Sequence, residues 1–162
     1  MPSTYTPIAT QTLGSAAASV TFSSISGAYT DLIMIIDGAV TSSSLLGITA
    51  VFNSDTATNY SNTNLNGNGT TASSTRVTNG AFVTVALGST GRGNTIINIP
   101  NYSNTTTYKN TLCRTNIASQ YVRANVGLWR STSAITSILI GLDVSDTFIA
   151  GSTFTLYGIK AA

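Results

Sequence analysis

The stretch Asp31-Leu32-Ile33-Met34-Ile35-Ile36-Asp37 decides the fold class. Successive side chains of a strand point to opposite faces, so an uninterrupted apolar run is apolar on both. Such a strand belongs at the centre of a sheet, covered on both sides by a second sheet or a partner subunit. It is the expected heart of the core.

Outward from it, alternation and short β-branched runs recur along the chain, and no segment sustains apolar residues at i, i+3, i+4 and i+7. In Ser19-Val20-Thr21-Phe22-Ser23 the apolar residues share one face and the hydroxyls the other. Further strands are expected at Gly47 to Asn53, Ala81 to Leu87, Thr95 to Ile99, Tyr108 to Thr115, Gln120 to Leu128, Ile135 to Leu142 and Thr153 to Ile159, each bounded by Gly, Asn, Ser or Pro. In Gln120 to Leu128, one face holds Val122, Ala124, Val126 and Leu128 and the other Arg123, Asn125 and Gly127, the pattern of a strand buried on one side. Between Asn53 and Thr75 the chain turns to Asn, Gly, Ser and Thr and is expected to be a long loop, the kind that binds a ligand or is held by a neighbour. Eight or nine strands without crossover helices imply an all-β antiparallel β-sandwich, of which the jelly roll is the common eight-stranded form. No repeat or linker divides residues 1–162, which are expected to form a single domain with residues 1–14 as an extended N-terminal arm.

Composition restricts the chemistry. Charged residues are 7% of the 162, with no histidine and no glutamate, so Ser, Thr, Asn and Gly must solvate the surface. The hydrophobic fraction of 42% supports a folded core. Seven scattered Lys and Arg against five Asp form no basic stripe, which argues against nucleic acid as partner. The run Leu32 to Ile36 is far short of the ~20 residues that cross a bilayer, and Met1 to Pro7 lacks the pattern of a signal peptide, so no membrane partner is expected. Cys113, a lone cysteine in a strand-like run, reads as a small core residue.

Without histidine, Ser-His-Asp and Cys-His catalysis is excluded. A carboxylate pair drawn from Asp31, Asp37, Asp55, Asp143 and Asp146 would have to face across a cleft, and capping strand ends is the simpler role for Asp31 and Asp37. Zinc lacks ligands, and calcium has only the turn holding Asp143 and Asp146. Gly67-Asn68-Gly69 and Gly91-Arg92-Gly93 precede no helix and read as turns. No enzyme activity and no cofactor are expected. Tyr60, Tyr102, Tyr108 and Trp129 can stack on sugar rings or anchor an interface, with core packing the competing and stronger reading for Trp129.

Several segments resemble virion proteins of tailed phages, cyanophages among them. These are Tyr5-Thr6-Pro7-Ile8-Ala9-Thr10-Gln11-Thr12-Leu13, Val20 to Ile25, Tyr29 to Leu32, Phe52 to Thr56 with Asn59-Tyr60-Ser61, Asn101 to Lys109, Ala134 to Ile138 and Ala150 to Lys160. Similar segments occur in capsid decoration (cement) proteins and at the ends of tail appendages. The resemblance implies a structural protein on the capsid surface of the virion, made in the host cytoplasm, with the major capsid protein and further copies of itself, as a trimer, for partners. On that expectation Tyr5, Pro7 and Ile8 reach a neighbour, while Asn53, Asp55, Asn59, Tyr60, Tyr102 and Trp129 supply contacts. The alternative is a receptor-binding module that takes host glycan on the Asn53 to Thr75 loop.

Overall fold

The computed structural model describes residues 4–118 and 120–160. Twelve strands follow one another without a helix among the described residues: β1 (Tyr5–Thr12), β2 (Val20–Phe22), β3 (Asp31–Gly38), β4 (Leu46–Phe52), β5 (Tyr60–Gly67), β6 (Ala72–Gly80), β7 (Val83–Gly88), β8 (Gly93–Pro100), β9 (Lys109–Ile117), β10 (Tyr121–Trp129), β11 (Ile138–Leu142) and β12 (Thr153–Ile159). Eight form one sheet in the order β1-β12-β3-β8-β9-β10-β5-β6, and four form a second, β2-β11-β4-β7. Every strand pairing is antiparallel. The all-β sandwich expected from the alternation is therefore present, with an eight-over-four division of strands in place of eight or nine strands in all.

The three additional strands lie where the sequence pointed elsewhere. Residues 5–12 of the expected arm form edge strand β1, paired with β12 from Tyr5 opposite Ile159 to Thr12 opposite Thr153; residues 1–3 of that arm lie outside the described residues. Its irregularity between Pro7 and Ala9 turns Ile8 toward the core, so Ile8 is a packing residue and not part of a free arm. The expected long loop from Asn53 to Thr75 is largely the β5–β6 hairpin. Its turn is closed by Asn68, whose Oδ1 accepts from the backbone N–H of Thr70 at 3.0 Å and of Thr71 at 2.7 Å, an Asx turn that only folding separates from an Asn-rich loop.

Between the sheets lie Leu32, Met34 and Ile36 of β3, Ile97 and Ile99 of β8, Phe154 and Leu156 of β12, and, from the small sheet, Phe22, Ala50, Val85 and Ile140. The central strand is thus covered on one side only: Ile33 and Ile35, the alternate residues, face outward and are half-buried. Cys113 is inside, and burial pushes its thiol up to about 12.

Strand β10 reverses the usual sense of alternation. Arg123, Asn125, Gly127 and Trp129 point inward, and Val122, Ala124 and Val126 are exposed. The polar inner face is offset in part by bonds across strands: Arg123 Nε donates to Asn66 Oδ1 at 2.7 Å, and Asn125 Nδ2 donates to Asn64 Oδ1. Gly127 leaves the space into which Val83 of β7 packs; a Cβ there would overlap Val83 Cγ2 and Thr111 Oγ1. Gly127→Ala is expected to lower unfolding free energy by about 1–3 kcal/mol, the range for overpacking a filled interior, in urea titrations followed by Trp129 fluorescence.

Candidate interaction surface

Of the four aromatic side chains singled out in the sequence, Tyr108 is 55% exposed and the other three are buried. Tyr60 and Tyr102 are 0% exposed and Trp129 is 2% exposed. Tyr60 and Trp129 face each other across β5 and β10, stacked with ring centroids 6.1 Å apart, and Phe52 closes the cluster 5.6 Å from Trp129. Burial pushes the Tyr60 hydroxyl up to about 12. That hydroxyl donates to the Asp55 carbonyl at 3.0 Å and accepts from the Phe52 N–H at 3.1 Å. Tyr102 donates to the Ser26 carbonyl. None of the three can stack on a sugar or anchor a partner in this conformation, because their faces are already packed and their polar tips already bonded.

Asp55, Asn59 and Asn53 hold this corner together. The Asp55 carboxylate accepts from Trp129 Nε1 at 2.7 Å, from Asn59 Nδ2 at 2.8 Å and from the Ala57 N–H at 2.9 Å. Those bonds, with Asn59 the largest, then Ala57 and Trp129, hold its carboxyl below the ordinary value of 3.8. Asn53 sits at φ 53 and takes three backbone bonds: Nδ2 donates to the Ala134 carbonyl at 2.7 Å, and Oδ1 accepts from the N–H of Thr136 at 2.8 Å and of Ser137 at 3.1 Å. The remaining aspartates near one another in sequence are engaged in turns: Asp143 Oδ1 accepts from the Gly47 N–H at 2.9 Å, and Asp146 Oδ1 from the Thr147 N–H at 2.6 Å. Among the described residues, no group of three or more His, Cys, Asp or Glu could hold a metal ion.

The surface the structure presents instead is the outer face of the eight-stranded sheet. Val122 is 60% exposed, Leu65 59%, Val126 55% and Leu112 53%. Register sets them side by side: Leu65, Ala124, Arg114, Ile96 and Ile35 form one row across β5, β10, β9, β8 and β3, and Thr63, Val126, Leu112, Asn98 and Ile33 the next. Twist curls the sheet around a groove of about 900 Å³ floored by Leu65, Ile96, Val122 and Ala124, with Arg114 among them. These exposed aliphatic side chains, interleaved with Thr63, Asn98 and Arg114, make this face the candidate contact surface. Tyr5 and Pro7 reach the same face from β1, Tyr5 edge-on to Tyr157 with centroids 6.3 Å apart.

Of the nine residues expected to make contacts, Tyr5 and Pro7 thus lie on the outer face; Asn53, Asp55 and Asn59 brace a corner; Ile8, Tyr60, Tyr102 and Trp129 pack inward. Leu65, Leu112 and Arg114 were not singled out in the sequence, and Val122, expected on the covered apolar face of its strand, is exposed instead. The signal that marks them is an asparagine period of two, Asn62, Asn64 and Asn66, with Leu65 between: all three asparagines are buried, which forces Leu65 out. No protein-family model and no curated protein matches the chain.

Asp55→Ala is expected to lower stability by about 1.5–3 kcal/mol, the contribution of hydrogen bonds to a charged group, measured by chemical denaturation. A carboxyl held low in the native state stabilises fully above its unfolded value of 3.8 and loses that contribution as pH falls toward its lower native value. Stability should therefore fall with pH below about 4, and less steeply in Asp55→Asn, as read from denaturation midpoints across acid buffers.

Proposed function

We propose that this chain is a structural, non-enzymatic protein of a tailed-phage particle, a capsid decoration protein that clamps the major capsid lattice through the outer face of its large sheet. The observation that carries the proposal is the set of apolar side chains Leu65, Leu112, Val122 and Val126, each more than half exposed on the outer face of the same sheet, in a chain whose composition is rich in Ser, Thr and Asn. Burying that face against a partner supplies the association energy, and uncharged hydroxyls and amides at its margin supply hydrogen bonds that salt screens little.

The strand order supports the reading. With β1, β12 and the β8–β9 hairpin set aside, the two sheets read β2-β11-β4-β7 and β3-β10-β5-β6, four over four with the chain passing repeatedly between them. We read this as a jelly roll carrying an inserted hairpin and an added edge pair, an architecture that recurs in viral capsid domains as well as in lectins. Fold alone does not assign function, so the exposed face and the resemblance carry the weight. The glycan-binding alternative, a tail-appendage module, loses Tyr60, Tyr102 and Trp129 to burial and keeps only Tyr108, 55% exposed, of the four rings considered for it.

Particles lacking this protein should lose infectivity sooner on heating or osmotic shock than complete particles. Rebinding of the Leu65→Asp, Val122→Asp double variant should be at least about tenfold weaker than that of the unaltered protein, with an unchanged unfolding midpoint because both positions are exposed. Unchanged particle resistance, or specific retention on a glycan array, would overturn the proposal.

A further inference from the structure

The sandwich has four sheet edges, and three are guarded. At β1, Pro7 lacks a donor and the irregularity at Ile8 interrupts the ladder. β2 is three residues long. β7 is buried along five of its six residues, roofed by the large sheet. The fourth edge, β6, is different. Eight of its nine residues are exposed, among the described residues it pairs with β5 alone, and from Ala72 to Val77 it runs in unbroken register without Pro, Lys, Asp or Glu. A break in register comes only beyond Val77, where Asn79 takes φ 58. Such a strand offers a row of unpaired backbone donors and acceptors, the template that natural proteins ordinarily blunt. It also buries almost no side-chain surface to offset the entropy of ordering it.

We infer that β6 pairs antiparallel with β6 of a second copy, continuing the eight-stranded sheet across a two-fold axis. The occupant follows from what each copy carries. An edge is completed by another edge, the remaining three are blocked, and pairing like with like closes the assembly without leaving a new edge that would propagate fibres. Charge selects the register. Arg76 opposite its own equivalent would set like charges together, which a cross-strand pair disfavours. A two-fold axis at Thr75 avoids this: it places Thr75 beside Thr75 of the second copy, a favourable hydroxyl pair, and Arg76 beside Ser74 of the second copy. The inner faces of both sheets stay on the same side, as an axis normal to the sheet requires, so the two apolar outer faces become continuous. The inference does not rest on the virion reading.

The experiment is sedimentation equilibrium of the full chain over a wide concentration range. The unaltered protein should show the mass of two chains at high concentration and one on dilution. Because the Arg76 to Ser74 neighbour pair occurs twice in the dimer, Ser74→Lys should weaken association by about tenfold and Ser74→Asp should strengthen it by a similar factor. Unfolding midpoints measured below the dissociation concentration should stay the same in both variants, because Ser74 is exposed. A single-chain mass at every concentration, the three-chain mass expected from the phage resemblance, or a dimer indifferent to both substitutions would overturn the inference.

Discussion

The bond from Trp129 Nε1 to the Asp55 carboxylate determines which way the large sheet faces. A strand has a period of two, so once Trp129 is held inside, Gly127, Asn125 and Arg123 must follow it in, and Val126, Ala124 and Val122 must go out. A slip of one residue would bury the valines and expel the tryptophan. Against that slip stand the stacked Tyr60 and Trp129 rings, the Phe52 contact and the Asp55 bonds. Some of the buried polar groups that result are matched across strands, Thr95 with Thr115 at 2.8 Å, Asn64 Nδ2 with Thr75 Oγ1 at 3.1 Å, and Arg123 with Asn66, while the Asn62 amide, Thr111 Oγ1 and Asn125 Oδ1 are buried without a hydrogen-bond partner among the described residues. Lys109 follows the same rule, buried with its Nζ donating to the carbonyls of Thr107 at 2.7 Å and Thr132 at 3.2 Å.

This arrangement exchanges the usual distribution of polarity. Asparagine and threonine occupy part of the interior beside β7, while aliphatic side chains face solvent on the outer surface of β5, β10 and β9. An interior of hydrogen-bonded amides is more register-specific than one of methyl groups, since a displaced amide loses a partner and a displaced methyl does not. The exposed valines and leucines are left free for the contacts proposed above, and the two candidate surfaces, the groove around Arg114 and the edge of β6, adjoin through the β5–β6 hairpin.

Much of this was legible in the residues. The nine strands expected from alternation and turn chemistry are all present, because apolar alternation bounded by Gly, Asn and Pro is a local signal. Strands β5 and β6 were not legible, since asparagine, serine and threonine favour turns in isolation and become strand residues only when neighbours supply partners, as Asn125 does for Asn64. Tyr60, Tyr102 and Trp129 were open to two roles because an aromatic with a polar tip suits an interface and a core equally. Their hydrogen bonds to Asp55 and Ser26 decide for the core.

By itself, then, the chain's composition and period determined an antiparallel all-β sandwich and a chemistry without histidine. Each is a local or summed property that no folding step can alter. Which face of β10 turns inward, whether residues 53–75 form a loop or a hairpin, and which edge stays open were decided only in three dimensions. They depend on pairings between residues far apart in the chain, such as Trp129 with Asp55 and Leu65 with Ala124, and a period of two specifies two faces without saying which one the rest of the molecule will cover.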